Sequence, residues 1–203
     1  MACITIDATK GPLVGYGIMP YSVNINVLRK PHAYTSDPED FLKWIQGRHC
    51  TGGEFDPTPE TMRELFYNEP FTGDGHVYGY TLKALCEAFG GHLDNGFWHK
   101  FGSGWLDMVQ TALAGAGVRF NPNDLLYSGS PVPLPPIDDF PLIGYVEREE
   151  ALRLAAELDV ADLSAIEDAG VAGGVAELHG WLKACNNVEG DEFNSSDLVC
   201  FYH

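Results

Sequence analysis

Apolar and polar positions alternate with a period of two near the start of the chain. The alternation covers residues 21–27, where the apolar positions are Tyr21, Val23, Ile25 and Val27. Such a period is typical of a β-strand with one buried face. Because proline is poorly tolerated inside a central strand, Pro20 predicts the point at which this strand begins. The apolar run LVCFYH, residues 198–203, predicts a second, buried strand.

Helical patterns fill most of the chain between these two strands. Start signals stand at Ser36–Asp40 and at Thr58–Glu60, where a capping side chain is followed by proline and acidic residues. Apolar residues recur at spacings of three and four over residues 77–89 and 105–116, which predicts two amphipathic helices. Later candidates for helices are residues 147–158, 161–168 and 175–185.

This order of elements favours one fold class. The chain runs through a strand, several helices, a proline-rich connection, more helices and a final strand, without the regular alternation of a doubly wound fold. We therefore predict a single α+β domain over residues 1–203. Its small mixed sheet contains the N- and C-terminal strands and is covered by about six to seven helices.

The proline-rich connection has the sequence PVPLPPIDDFPLIGY, residues 131–145. A flexible linker would not end in an apolar run such as residues 140–145, which has reason to be buried. Proline also restricts the chain to a stiff, extended path. We predict that this segment, called the strap below, lies rigidly across a single domain. Its turn at Asp138 and Asp139 is then exposed enough to contact whatever the protein binds.

Charge adds a constraint on partners. The chain has 29 acidic and 12 basic residues and a net charge of −17. Residues 147–203 alone carry thirteen acidic against three basic residues. A field of this sign repels nucleic acids and anionic lipid surfaces and favours cationic partners. With no signal peptide and no long apolar segment in the sequence, we expect a soluble cytoplasmic protein without nucleic-acid or membrane partners.

The five cysteines are scattered and include no CxxC pair. This spacing fits neither a disulfide framework nor a zinc ribbon. Cys86, Cys185 and Cys200 fall in apolar patterns, where cysteine serves as a small buried hydrophobe. His49 and Cys50 are adjacent and point apart, so a nucleophilic thiol at Cys50 would need another histidine brought by the fold.

Two further groups of residues suggest chemistry, each beside a plainer interpretation. His92 and His99 flank Asp94 in a loop and could bind a metal, but their spacing matches no metal signature, so we predict no metal or cofactor. The plainer role is that of polar partners in a loop anchored by aromatic residues. Asp138 and Asp139 could act as an acid and base pair, or one of them could cap the backbone amides of a turn while the other is solvated.

A family resemblance is carried by four segments of the sequence. They are GYGIMPYSV at residues 15–23, the strap with its following helix to residue 158, HGWLKACNN at residues 179–187, and LVCFYH. Together they resemble a group of uncharacterised bacterial proteins, common in actinobacteria and distantly similar to the YfbM-like family. The resemblance covers residues 14–28 and 76–203. Where those proteins have a threonine or serine cap and a proline after the tyrosine, this chain has Val146–Glu147–Arg148.

This resemblance implies a single α+β domain of bacterial, cytoplasmic type and supplies no reaction, cofactor or site residue. The charge asymmetry favours an interaction protein without catalysis, in the manner of an immunity protein or antitoxin, whose acidic C-terminal half covers a basic protein. The alternatives are an enzyme, hydrolytic or biosynthetic, with a dispersed pocket, or a small-molecule-binding module. The candidate binding residues are Asp138, Asp139, Tyr145, Tyr16, His92 and His99.

Overall fold

The structure is a computed structural model that describes residues 17–99, 102, 104–185 and 195–203. Within this part, four strands form one sheet: β1 (Ile18–Val23), β2 (Gly91–His92), β3 (Leu142–Val146) and β4 (Asp197–Tyr202). The strand order is β2-β1-β4-β3, and all neighbours are antiparallel. The predicted α+β class and the pairing of the N- and C-terminal strands are confirmed. The sheet is antiparallel throughout, however, and not mixed.

Eight α-helices cover this sheet in the described part of the chain. They are α1 (Ile25–Arg29), α2 (Pro38–His49), α3 (Pro59–Tyr67), α4 (Gly75–Phe89), α5 (Trp105–Gly115), α6 (Asp124–Tyr127), α7 (Arg148–Val160) and α8 (Ala169–Ala184). Asp37 caps α2 and Thr58 caps α3, as the start signals predict. Short 3-10 turns lie at Pro31–Tyr34 and Leu163–Ala165.

The sheet is the middle of three layers. Leu198 and Cys200 face a core built with α5–α8, whereas Val199 and Phe201 face a core built with α1–α4. Neighbouring residues of β4 are therefore buried on opposite faces. This explains why the strand is a continuous apolar run and does not alternate with polar residues.

The first strand differs from its prediction at both ends. It ends at Val23, because the Asn24 side chain accepts a hydrogen bond from Asn26 N (2.8 Å) and caps α1. Pro20 lies inside β1 and does not begin it. The Pro20 carbonyl accepts a bond from Leu93 N on the β2 side, so the missing N–H faces that side as well. The pairing with β4 therefore loses no hydrogen bond.

Two other segments also differ from their predictions. Residues 161–168 contain only a 3-10 turn, because the Asp162 side chain accepts from Ser164 N and favours a turn over a helix. The last part of the strap forms the edge strand β3, which the sequence did not indicate. At Gly144 an added Cβ would lie 2.2 Å from the Asp124 carbonyl oxygen, so the glycine allows α6 to pack directly on β3.

Candidate binding cavity

The strap crosses the first turns of α4 at two glycines. A Cβ at Gly75 would lie 1.9 Å from the Pro136 carbonyl oxygen, and one at Gly79 would lie 2.8 Å from Cδ of Pro141. The peptide bond between Phe140 and Pro141 is cis. Because both glycines lack a side chain, the strap backbone lies directly on the helix. This contact fixes the acidic turn of the strap beside the start of α4.

A cavity of about 790 Å³, called the strap cavity below, opens at this crossing. Its walls come from the strap, the start of α4, the loop after α2 and the end of β4. Three carboxyl groups line it, from Asp74, Asp138 and Asp139. Lysine and arginine are absent from the described residues that line it. The cavity is therefore an acidic environment of a size that suits a small ligand.

Aromatic rings form the other wall of the strap cavity. The Phe55 ring is 60% exposed and lies 5.5 Å from the Tyr80 ring. Tyr80 in turn contacts the His203 ring edge-on, with 5.5 Å between the ring centroids. Phe140 completes the lining from the strap. An exposed phenylalanine beside carboxyl groups offers both an apolar surface and ring faces to a ligand.

His203 is a titratable group of the strap cavity whose pKa is strongly shifted. Burial, together with the nearby charge of Lys83, lowers the pKa of its imidazole to about 4. The carboxylate of Glu87 raises this pKa, but by less. The ring is therefore neutral at pH 7. Its Nε2 atom is buried and has no hydrogen-bond partner within the described residues. His203 thus adds no positive charge to the acidic cavity.

One face of α4 extends from the cavity toward β1. His76, Tyr80, Lys83 and Glu87 follow one another at spacings of four, three and four along this face. Glu87 Oε1 accepts hydrogen bonds from Tyr21 Oη (2.8 Å) and Lys83 Nζ (2.9 Å). The polar face therefore begins in the cavity and ends in a network that ties α4 to β1.

We call this network the Glu87 cluster; it comprises Tyr21, His49, Lys83, Glu87 and His92. His49 Nδ1 lies 3.6 Å from Glu87 Oε2, and the His92 ring lies 5.2 Å from the Tyr21 ring. Burial raises the pKa of Glu87, but the hydrogen bond and charge of Lys83, together with the Tyr21 hydrogen bond and the nearby His49, hold that pKa below its usual value. Since Glu87 is already bonded to its neighbours, we assign the cluster a role in positioning α4.

The structure brings two of the candidate binding residues into the strap cavity, namely Asp138 and Asp139. It places His92 in the Glu87 cluster, where burial lowers the pKa of the imidazole. His99 pairs with Gly17, just before β1, and His92 pairs with Tyr21, so the two contacts lie four positions apart along the chain. That spacing is about 13 Å along a strand, so the two histidines do not share a site.

The two candidate tyrosines lie elsewhere. Tyr145 is part of β3, packs against the α1–α4 core and donates its backbone N–H to Ser128 Oγ (2.8 Å). It does not line the strap cavity. Tyr16 lies outside the described residues. Neither tyrosine therefore enters the description of the cavity.

The cysteine chemistry considered at His49 and Cys50 is not favoured. Burial and the neighbouring Asp56 carboxylate raise the pKa of the Cys50 thiol, which is the wrong direction for a nucleophile. The other described cysteines, Cys86, Cys185 and Cys200, are buried and reduced, as their apolar patterns predict. Across the part of the chain that the structure covers, no group of three His, Cys, Asp or Glu residues is arranged to hold a metal ion.

Comparison with known families gives one match. The model of a family described as "Domain of unknown function (DUF7691)" covers residues 14–203, and so spans all of the strands and helices of the fold. The chain belongs to the DUF7691 family. No curated protein and no solved structure matches it. The description of the DUF7691 family names no activity.

None of the helices described for this DUF7691 chain is both long and apolar enough to cross a bilayer.

Several residues of the strap cavity were not indicated by the sequence. His76 and Tyr80 stand two positions before Tyr78 and Leu82 of the apolar stripe of α4, with the same spacing. This second, polar stripe was a signal that could have indicated them. Phe55 and His203 had no local signal, because they reach the cavity only through the fold.

Proposed function

We propose that this DUF7691 protein binds a small organic cation in the strap cavity. The ligand class is an amine or guanidine that carries an apolar body. One observation carries the proposal: three carboxyl groups and a wall of aromatic rings converge on one cavity whose described lining has no lysine or arginine.

The two halves of the lining suit the two halves of such a ligand. Asp74, Asp138 and Asp139 attract a positive group, and an ammonium or guanidinium within about 6 Å of a ring centroid is also attracted by the ring face. Phe55 and Phe140 supply apolar surface for the rest of the molecule. An anion would be repelled, and a neutral ligand would desolvate the carboxyl groups without pairing them.

Three ligands of matched shape test the ligand class. Phenethylamine, 2-phenylethanol and phenylacetate share a phenyl ring and a two-carbon substituent but differ in charge. We expect phenethylamine alone to raise the melting temperature in a concentration-dependent way, since a ligand that binds the folded state stabilises it. Equal stabilisation by 2-phenylethanol would contradict the role of the carboxyl groups. Stabilisation by none of the three would contradict the proposal for this ligand class.

Removing the two strap carboxyl groups tests the site. The double change Asp138→Asn and Asp139→Asn is expected to weaken phenethylamine binding by about tenfold in calorimetry, because two partly exposed charge interactions are lost. A matched control is Glu60→Gln with Glu149→Gln, which removes two exposed carboxyl groups outside the cavity. If both double variants weaken binding equally, the effect is one of net charge and the cavity is not the site.

A second candidate function is binding of a basic protein partner through the acidic C-terminal half, in the manner of an immunity protein or antitoxin. The observation in its favour is that acidic side chains there are held in fixed positions. Asp162 accepts from Ser164 N and Oγ, and Asp168 caps α8 by accepting from Val171 N. Fixed charges lose little freedom when a partner binds.

Other expectations from the sequence stay predictions. They are catalysis at the strap cavity, a bacterial origin, a distant relation to the YfbM-like proteins and a cytoplasmic location. For catalysis, the first measurement is turnover of an amine or guanidine that binds the strap cavity, compared between the wild type and the Asp138→Asn, Asp139→Asn variant.

A further inference from the structure

A second concave surface lies on the other side of the sheet, between α5 and the start of α8. This groove, called the α5 groove below, has a volume of about 530 Å³. Met108, Ala112 and Ala116 line it from successive turns of α5. Ile166 and Val171 line it from the facing segment. Met108 is 47% exposed, so its side chain offers apolar surface in the groove.

Carboxyl groups stand along both edges of the α5 groove. Asp107 lies on the α5 side, and Asp162, Glu167 and Asp168 lie on the opposite side. No basic residue occurs among the described residues that line the groove. The hydrogen bond from Ser164 holds the pKa of Asp162 below its usual value, so this carboxylate keeps its charge at neutral pH. The groove therefore has an apolar floor between two negative edges.

The shape of the groove indicates what could lie in it. Ala112, Gly115 and Ala116 are small, so the backbone of an occupant can come close to α5. The lining extends from Asp107 in α5 to its C-cap Ala116, which corresponds to about 15 Å along the helix axis. This length matches about three turns of a second helix packed alongside. Methionine at such a surface adapts to side chains of different shapes.

We propose that the α5 groove docks a short amphipathic helix of a partner protein, with apolar residues on one face and lysine or arginine along its edges. The apolar face would cover Met108 and its neighbours, and the basic edges would meet Asp107 on one side and the three carboxyl groups on the other. This inference rests on the second candidate function and is independent of the strap cavity.

Charge decides against other occupants. A second copy of this chain carries a net charge of −17, so two copies repel each other. A nucleic acid is repelled for the same reason. A basic partner helix is the occupant that satisfies both the apolar floor and the negative edges.

Two designed peptides of equal length test the chemistry of the occupant. Both place leucine on one helical face; one has lysine at the edges and the other has glutamate at the same positions. We expect the lysine peptide to bind the full chain in fluorescence anisotropy. Its affinity should fall by about tenfold at high salt, because charge pairs at an exposed edge are screened. We expect no binding of the glutamate peptide. Equal binding of the two peptides, or binding of neither, would overturn the proposal.

Two lysine substitutions on α5 test the location. Met108→Lys places a positive charge in the groove, whereas Gln110→Lys places the same charge on an exposed position outside it. We expect the first to weaken binding of the lysine peptide by about tenfold, and the second by about twofold or less. Melting curves of both variants check that the fold is intact. If the lysine peptide binds but the two variants behave alike, the acidic interaction function stands and the α5 groove is the wrong surface.

Discussion

Replacing Gly75 with alanine is expected to destabilise the protein by about 3 kcal/mol and to abolish ligand binding in the strap cavity. The new Cβ would lie 1.9 Å from the Pro136 carbonyl oxygen and 2.8 Å from that of Pro135. Both contacts are to backbone, which cannot swing aside as the end of a side chain can. The strap must therefore lift from α4, and Asp138 and Asp139 move with it.

The measurement is the free energy of unfolding by urea, together with phenethylamine binding at a temperature where the variant stays folded. Two other glycines give a graded control. At Gly79 an added Cβ meets side-chain atoms of Pro141 and Ile137, so we expect a smaller loss of about 1 kcal/mol. At Gly180 in α8 the space is open, and alanine should be neutral or stabilise by up to about 1 kcal/mol.

The order of the three glycine variants distinguishes this explanation from others. A general intolerance of alanine would destabilise Gly180→Ala as well, and an effect of helix propensity would stabilise all three variants. If Gly75→Ala retained both its stability and its ligand binding, the strap would not be held on α4 as described. The argument for the strap cavity would then lose its geometric basis.

The parts of the fold that local sequence determines were predictable. Asp37 and Thr58 cap helices by bonds to residues three positions later, so the signal and the structure lie within one turn. The two strands β1 and β4 were predictable because each is marked by its own apolar residues, and they pair as expected. In contrast, Asn24 ends β1 by a single side-chain bond that a period-two pattern cannot reveal. β3 was missed because its residues follow five prolines that indicate an extended strap, whether or not it pairs.

The strap cavity was predictable only in part, for a similar reason. Asp138 and Asp139 were indicated because adjacent acids in a turn are exposed by their own local structure. The cavity also needs Phe55, Tyr80 and His203, which come from a loop, a helix and the residue after β4, far apart in sequence. Their convergence depends on Gly75, where the strap and α4 touch, and a glycine at a helix start gives no sign of which backbone will lie against it.

Acidification is expected to destabilise the protein between about pH 6.5 and pH 4, with His203 as a main cause. Burial lowers the pKa of this imidazole in the folded state from 6.5 to about 4. Above the unfolded-state value both states are neutral, and the stability is fully present. As the pH falls below it, the unfolded chain takes up a proton first and is favoured. Burial also lowers the pKa of His49 and His92, so these residues act in the same direction.

The expected loss attributable to His203 is about 1–2 kcal/mol on going from pH 7 to pH 5, reduced from the full linkage value because the ring is partly exposed. It is measured as the free energy of unfolding by urea at the two pH values. His203→Phe keeps a ring against Tyr80 but cannot be protonated, so its stability should fall less over this interval. Equal losses in the wild type and in His203→Phe would show that the imidazole is not held neutral. The cavity would then acquire a positive charge that opposes a cationic ligand below about pH 6.5.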